Sequence, residues 1–169
     1  DNVTFLIHTF NRPEQLERLL KSIHEFYPEQ EVLVYDDSTA DMGLSWGRNH
    51  LVSQCTTRYF LLLDDDFVFS PNTKVERLVE KAEKGYDIVA GSLSDNNHIQ
   101  HYEGRYILEG SILKYVRAHE EPYDFVFNFF LGRTQTFRTV KWDEELKLAE
   151  HTAFFLENKG KLKIGYVPE

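Results

Sequence analysis

Three consecutive carboxylates, Asp64-Asp65-Asp66, have the clearest chemical consequence of any segment in the sequence. They directly follow the apolar residues 60–63 and precede Phe67-Val68-Phe69. Adjacent carboxylates between apolar runs repel one another, and a hard divalent cation that takes carboxylate and phosphate oxygens would offset their charge. A solvated acidic turn that caps the next helix is the alternative, and the apolar flanks favour the cation site.

Two other segments carry groups suited to a nucleotide. Asp36-Asp37 could accept hydrogen bonds from a ribose hydroxyl or a base N–H, and an Asp-stabilised turn is an equally good interpretation. Arg48, within Gly47-Arg48-Asn49, could direct its guanidinium at a phosphate. An exposed arginine on an amphipathic helix explains the same residues at least as well.

Glu150-His151 precedes the apolar run at residues 153–156. A carboxylate against aromatic rings can have a raised pKa and act as a general base, and His151 could do so near neutral pH. Spacing alone favours a pair on a helix face without a catalytic role. The sequence contains no H-E-x-x-H, Walker loop, G-x-G-x-x-G or G-x-S-x-G segment.

The elements that must position these residues alternate between strands and helices in the first half. Short apolar, β-branched runs predict strands at residues 3–8, 31–35, 59–63 and 87–90. Helices are predicted from Pro13, within residues 43–54, and from residue 70 to the stop at Gly85. This alternation predicts a mostly parallel α/β sheet with helices on both faces, and ligands bind such sheets at the carboxyl ends of the strands.

The second half has a different pattern. Residues 101–117 are strand-like but broken by Gly104 and Gly110, which predicts hairpins. Residues 136–142 are typical of an edge or hairpin strand, and residues 146–158 of a helix. We expect one domain over residues 1–169, with a nucleotide-binding half at 1–95 and a smaller, partly antiparallel acceptor and catalytic half at 96–169.

Composition excludes several classes of function. The net charge of −9 argues against a nucleic-acid partner, which requires a basic face. The single Cys55 rules out an intrachain disulfide framework and a cysteine zinc site. No apolar run is long enough to span a membrane. These features favour a bacterial cytoplasmic protein.

The order of the motifs resembles GT-A glycosyltransferases of the family 2 type. Those motifs are Thr9-Phe10-x-Arg12, Asp36-Asp37-Ser38, Gly47-Arg48-Asn49 and Leu63-Asp64-Asp65-Asp66. Asn128-Phe129-Phe130-Leu131-x-Arg133-Thr134, followed by Glu150-His151-x-x-Phe154-Phe155, is similar to β-1,4-N-acetylgalactosaminyltransferases of the ganglioside GM2/GD2-synthase kind. The resemblance covers nearly the whole chain.

The resemblance implies a GT-A (Rossmann-like) fold and inverting transfer of a sugar, an N-acetylhexosamine, from a UDP-sugar to a glycan or glycoconjugate hydroxyl. Mn²⁺ or Mg²⁺ would bridge the diphosphate, held by Asp64 and Asp66. The donor contacts carried over are Thr9, Phe10, Arg12, Asp36, Asp37, Arg48, Asp64 and Asp65. A base at or near Glu150 would deprotonate the acceptor. The Golgi lumen is the alternative location, as for the catalytic domain of a type II membrane protein.

The sequence departs from that family in three places. The stretch from Asp37 to Gly47 is short, and the chain ends before a late histidine that relatives supply to the metal. Ala153 stands where relatives often carry Asp or Glu, so we expect it to replace a catalytic carboxylate. The alternative function is therefore a catalytically impaired protein that binds a sugar nucleotide or a carbohydrate. A nucleotidyltransferase is disfavoured because residues 9–13 contain no glycine.

Overall fold

The computed structural model describes residues 2–95 and 98–168 and has one central sheet of six strands. Residue 96, where we place the start of the second half, lies outside the described residues. The strands are β1 (Val3–Thr9), β2 (Val32–Asp36), β3 (Tyr59–Asp64), β4 (Ile88–Gly91), β9 (Phe130–Arg133) and β10 (Ile164–Val167). Their order across the sheet is β10-β4-β9-β3-β1-β2.

All strand pairs in this sheet are parallel except those made by β9. This strand lies antiparallel between β3 and β4, so a segment from the second half occupies the middle of the sheet. The sheet is therefore mixed rather than wholly parallel, and it draws strands from both parts of the chain. Two small antiparallel pairs complete the strands: β5 (Leu93–Asp95) with β6 (His98–Gln100), and β7 (Gly104–Glu109) with β8 (Ile112–Arg117).

Helices cover both faces of the sheet, as predicted. On one face, α1 (Pro13–Phe26) and α3 (Val75–Ala82) bury apolar side chains such as Leu19, Ile23 and Leu78 against the strands. On the other face, α2 (Leu44–Gln54) and α4 (Glu150–Glu157) contribute to a second apolar layer. None of the helices in the described ranges is long and apolar enough to cross a bilayer.

Three predicted elements differ from the structure. Residues 136–142 do not form a strand, and that prediction was wrong: they hold a 3₁₀ helix, Thr136–Arg138. Their apolar residues serve the core instead, since Phe137 is buried against Phe60 and Trp142. Helix α3 begins later than predicted, after a turn at residues 70–73, and α4 begins at Glu150 instead of residue 146.

Candidate active site

Most of the predicted site residues meet at one edge of the sheet because β3, β1 and β2 are parallel neighbours whose carboxyl ends are aligned. Thr9 pairs with Asp36 across β1 and β2, and His8 pairs with Asp64 across β1 and β3. A pocket of about 420 Å³ opens at this edge. It is lined by His8, Thr9, Phe10, Arg12, Asp37, Asp41, Gly43, Leu44, Arg48, Asp64, Asp65, Asp66, Asn128 and Glu150.

Both oxygens of the middle carboxylate in the triplet accept a hydrogen bond from another side chain. Asp65 is buried, and its Oδ2 accepts a hydrogen bond of 2.7 Å from the Thr9 hydroxyl. Its Oδ1 accepts one of 2.6 Å from Nη1 of Arg12. Thr9 and Arg12 therefore hold the loop after β1 against the triplet through Asp65.

The outer two carboxylates have weaker contacts. Asp64 receives only long hydrogen bonds, 3.5 Å from Nη2 of Arg48 and 3.4 Å from Nδ2 of Asn128. Burial raises the pKa of Asp64, as do the charges of Asp66 and Asp65, and Arg48 opposes the shift. The side chain of Asp66 is 49% exposed, and Arg12 approaches it only to 3.4 Å. Oxygens of Asp64 and Asp66 thus remain available to a further cation.

The two acids after β2 have different roles. The exposed Asp36 accepts a hydrogen bond from the Ser38 N–H at 3.0 Å, which is the Asp-stabilised turn considered above, and it does not line the pocket. Asp37 is buried and accepts backbone N–H bonds from Met42 and Gly43 at 2.8 and 2.7 Å. Burial opposes ionisation of Asp37, but these two N–H groups, together with His8 and the Tyr35 hydroxyl, lower its pKa. Asp37 therefore fixes the loop that leads into α2.

Arg48 links the triplet to helix α4. Its side chain is only 1% exposed and donates to Glu150 Oε1 at 3.3 Å and to Asp64 Oδ1 at 3.5 Å. The guanidinium also lies 5.7 Å from the centre of the Trp142 ring, within cation–π range. Burial lowers the pKa of Arg48, and the charges of Asp64 and Glu150 oppose the shift. Guanidinium groups remain protonated in proteins, so Arg48 carries a positive charge.

Gly47 lets α2 approach the sheet closely enough to place Arg48. A Cβ at this position would lie 2.1 Å from Cδ2 of His8 and 3.2 Å from Cδ1 of Tyr35. The first distance is far inside van der Waals contact, so a larger residue would displace the helix or the His8 ring.

The residues on α4 do not all reach the pocket. Glu150 lines it, and Ala153 lies one turn further along the same helix without lining it. His151 also lies outside the lining; its ring packs against Tyr102 and Phe155. Burial, and then the charge of Arg48, lower the pKa of His151 to about 4. At neutral pH it is an uncharged and weak base.

Five lining residues were missed as site candidates: His8, Asp41, Gly43, Leu44 and Asn128. Two of them have a buried polar atom without a hydrogen-bond partner. Asn128 donates to Asp64, and its Oδ1 is buried without a hydrogen-bond partner. His8, at the end of β1, has a buried Nε2 that lies 3.6 Å from Asp37 Oδ2 and makes no hydrogen bond. Asn128 belongs to one of the motifs quoted above, which was the available signal. His8 lies within an apolar strand, where nothing in the sequence distinguishes a site residue from a core residue.

The described residues contain no cluster of three His, Cys, Asp or Glu side chains that would by itself enclose a metal ion. The hard oxygen donors of Asp64 and Asp66 suit Mg²⁺ or Mn²⁺, which commonly take one or two carboxylates together with phosphate oxygens and water. The residues present therefore fit a cation that shares its coordination with a bound diphosphate.

Two animal glycosyltransferases are similar in sequence to almost the whole chain. Mus musculus β-1,4 N-acetylgalactosaminyltransferase 2 is 37% identical over 196 aligned residues, covering 98% of this chain and 38% of that protein. Homo sapiens β-1,4 N-acetylgalactosaminyltransferase 1 is 35% identical over the same length, covering 96% of this chain and 37% of that protein. The chain thus spans less than two fifths of the length of these relatives.

Solved structures confirm the expected fold. S. aureus TarS 1–349 in complex with UDP superimposes with a TM-score of 0.69 at 14% identity, covering 100% of this chain and 58% of that one. This likeness shows that the six-stranded sheet and its helices have the GT-A fold. The sequence profile of Glycosyl transferase family 2 matches residues 38–146, more than half of the sequence, and the chain therefore belongs to that family.

Proposed function

We propose that this chain is the donor-binding and catalytic core of a UDP-sugar-dependent glycosyltransferase. It would transfer an N-acetylhexosamine, with inversion, to a hydroxyl of a glycan or glycoconjugate. The observation that carries the proposal is the pocket at the ends of β1, β2 and β3. It is lined by the available carboxylates of Asp64 and Asp66 and by the buried guanidinium of Arg48, which lies 3.5 Å from Asp64. The mouse and human relatives are named for N-acetylgalactosamine transfer, and TarS was crystallised with UDP.

Asp64 and Asp66 would hold Mn²⁺ or Mg²⁺. When bound, the cation would supply positive charge to the diphosphate and stabilise it as a leaving group. Asp65 is not a candidate ligand in this proposal because both of its oxygens already accept hydrogen bonds from Thr9 and Arg12. Its function is to hold the loop that carries Phe10, whose ring is 48% exposed in the pocket and can stack on a base.

Glu150 is the proposed general base. It is the acidic residue of α4 that lines the pocket, and its partner Arg48 keeps its carboxylate in a fixed place. Glu150 would take the proton of the acceptor hydroxyl while that oxygen bonds to the anomeric carbon and the UDP oxygen departs with the bonding pair. Arg48, held between Glu150 and Asp64, would stabilise the negative charge that develops on the departing diphosphate.

Donor binding is tested by thermal unfolding in the presence of UDP-GalNAc or UDP-GlcNAc, each with and without Mn²⁺. A ligand at about 100 times its Kd stabilises the folded state by about 2.7 kcal/mol, which raises the Tm of a domain of this size by about 5 °C or more. We expect that rise only when both Mn²⁺ and a UDP compound are present. No rise with either UDP-sugar in the presence of Mn²⁺ would overturn the proposal.

A catalytically impaired, sugar-nucleotide-binding protein is the second candidate. It is favoured by Ala153, which leaves Glu150 as the carboxylate that α4 presents to the pocket. Release of UDP from a UDP-sugar in the presence of Mn²⁺ separates the two candidates. Binding without turnover, followed by a gain of turnover in Ala153→Asp, would support the second candidate and the replacement of a carboxylate at this position.

A further inference from the structure

A second and larger pocket, of about 960 Å³, opens next to the first on the side of the sheet that carries α3. It lies between the loop that joins β3 to α3 and the strands β4, β5 and β6. Asp66 lines both pockets, so the two cavities adjoin at the proposed metal ligand. Apart from Asp66, the residues that line the second pocket have no role in the proposed donor site.

An aromatic ring lies at the base of this second pocket. Phe129 lies over Gly91 at the end of β4, so closely that a Cβ at residue 91 would be 2.5 Å from Cε1 of the ring. Phe67 meets Phe129 edge to face, with ring centres 6.3 Å apart. Because both rings are only partly buried, aromatic carbon is presented to whatever occupies the pocket.

The rest of the lining mixes apolar and polar groups. Val68 and Ile99 are 53% and 52% exposed, and both line the pocket. Around them are uncharged hydroxyl and amide side chains: Ser70, Asn72, Thr73, Ser92, Ser94 and Gln100. The charged lining residues balance, with two acidic and two basic side chains, Asp66, Asp95, Lys74 and Arg77.

This lining suits a carbohydrate chain. A pyranose ring has an apolar C–H face that packs on aromatic and aliphatic side chains, and hydroxyl edges that pair with Ser, Thr, Asn and Gln. An acyl chain would leave the polar groups of the wall without partners, which costs free energy. A polyphosphate would require an excess of basic residues that the balanced lining does not provide.

We propose that the second pocket binds the acceptor oligosaccharide. That this oligosaccharide acts as the acceptor rests on the proposed function, whereas its binding in the pocket does not. The terminal sugar would pass Asp66 into the donor pocket, towards Glu150, while the sugars behind it lie against Phe129, Val68 and Ile99. Most of the residues that line this acceptor site then lie within residues 66–95, in the first half of the chain, rather than in the second half.

The test introduces a charge on either wall of the pocket, with Val68→Glu and Ile99→Glu, and uses Leu108→Glu as the matched control. Leu108 is also an exposed apolar residue, at 70%, but it lies in the β7–β8 hairpin away from both pockets. All four proteins are applied to an array of neutral and acidic oligosaccharides. Their thermal shifts with UDP and Mn²⁺ are measured in parallel.

We expect the unaltered chain and Leu108→Glu to bind the same oligosaccharides, and both wall variants to lose at least tenfold in affinity while keeping the UDP shift. A UDP shift without any bound oligosaccharide, or wall variants that bind like the unaltered chain, would overturn the inference and leave the proposed function standing. Oligosaccharide binding that the wall variants lose, without a UDP shift, would support the pocket and overturn the proposed function.

Discussion

Asp65 and Asp66 are adjacent in the sequence but have opposite surroundings. Asp65 is buried and bound by Thr9 and Arg12, whereas Asp66 is half exposed and has one long contact. The residues alone predicted a cation site at the triplet, and the resemblance implied Asp64 and Asp66 as metal ligands and Asp65 as a donor contact. Neither assigned Asp65 its role in holding Thr9 and Arg12. That assignment depends on partners more than fifty residues away, which no local pattern specifies.

Substitution of each acid by asparagine tests whether Asp65 and Asp66 have different roles. We expect Asp65→Asn to lower the free energy of unfolding by about 1–2 kcal/mol, because Arg12 and Thr9 lose an ionised acceptor. Asp66→Asn should change the free energy of unfolding by less than about 0.5 kcal/mol, since the ion pair of Asp66 with Arg12 is exposed and its atoms are 3.4 Å apart. Urea unfolding and the Mn²⁺-dependent UDP shift, measured on both variants, check this.

In Asp66→Asn we expect the UDP shift to be lost, and in folded Asp65→Asn we expect it to be kept. Asp143→Asn, an exposed acid outside the pocket, is the control for loss of a surface charge. The reverse pattern, with Asp65 required for the shift and Asp66 dispensable, would show that the middle carboxylate is the ligand.

Asn128 is expected to contact the transferred sugar. Its Nδ2 faces the carboxylate of Asp64, which can only accept, so Oδ1 is left as a buried acceptor without a donor. A hydroxyl or acetamido N–H of the sugar could supply that donor after a small rotation. We expect Asn128→Ala to weaken binding of UDP-GalNAc or UDP-GlcNAc about tenfold while leaving the affinity for UDP unchanged, measured by titration calorimetry.

Unfolding measurements provide a check on that variant. Removing a buried acceptor that has no partner relieves a cost, so Asn128→Ala should lose little stability despite its lost contact with Asp64. Asn2→Ala, at an exposed asparagine outside the pocket, is the control. Equal weakening of UDP and of the UDP-sugar would mean that Asn128 acts only by positioning Asp64.

At the scale of elements, the strands and helices of the first half were predicted well because their periodicity is clear. Leu19 and Ile23, for example, are buried along one face of α1 as their spacing required. The strand β9 was not predicted, because a continuous aromatic run around Phe130 has no period that distinguishes a strand from a buried helix. Its place between β3 and β4 is decided by non-local pairing.

The close packing of α2 on β1 predicts that Gly47→Ala lowers the stability of the protein, whereas helix propensity predicts that it raises it. Helix propensity alone would make Gly47→Ala stabilising by about 1 kcal/mol. The 2.1 Å approach of the new Cβ to His8 opposes this, and overpacking of this kind costs about 1–3 kcal/mol. We expect a net loss and a Tm lower by a few degrees, together with a weaker UDP shift because Arg48 and His8 both line the pocket.

Ser53→Ala is the matched control on the same helix, at an exposed position, and should change the Tm by less than about 2 °C. A higher Tm for Gly47→Ala would mean that the helix can move away from His8 freely. The glycine would then not be needed to place Arg48.

At the scale of the whole molecule, the sheet joins the two parts of the chain into one unit. β9 and β10, from the second half, pair with β3 and β4 from the first. Arg48 likewise connects α2 to α4 across 102 positions of sequence. A cut between residues 95 and 96 would therefore divide the sheet, so we treat the two halves as parts of a single folding unit.

That single unit should lose stability in mild acid. Burial and Arg48 lower the pKa of His151 to about 4 from its ordinary 6.5, and burial lowers the pKa of His8. Between about pH 6.5 and 4 the unfolded chain therefore binds more protons than the folded chain, so the free energy of unfolding falls as pH falls. Asp64, whose pKa is raised, acts in the opposite direction just above its ordinary value of 3.8.

The contribution of His151 is measurable by substitution. A shift of this size corresponds to at most about 3 kcal/mol, and the partial exposure of the side chain reduces it to about 1–2 kcal/mol. We expect urea unfolding of His151→Gln to depend less on pH between 4.5 and 7 than that of the unaltered chain. His24→Gln, at an exposed histidine of α1, should retain the full dependence. Parallel profiles for all three proteins would show that the imidazole of His151 is hydrated in solution and that the acid sensitivity arises elsewhere.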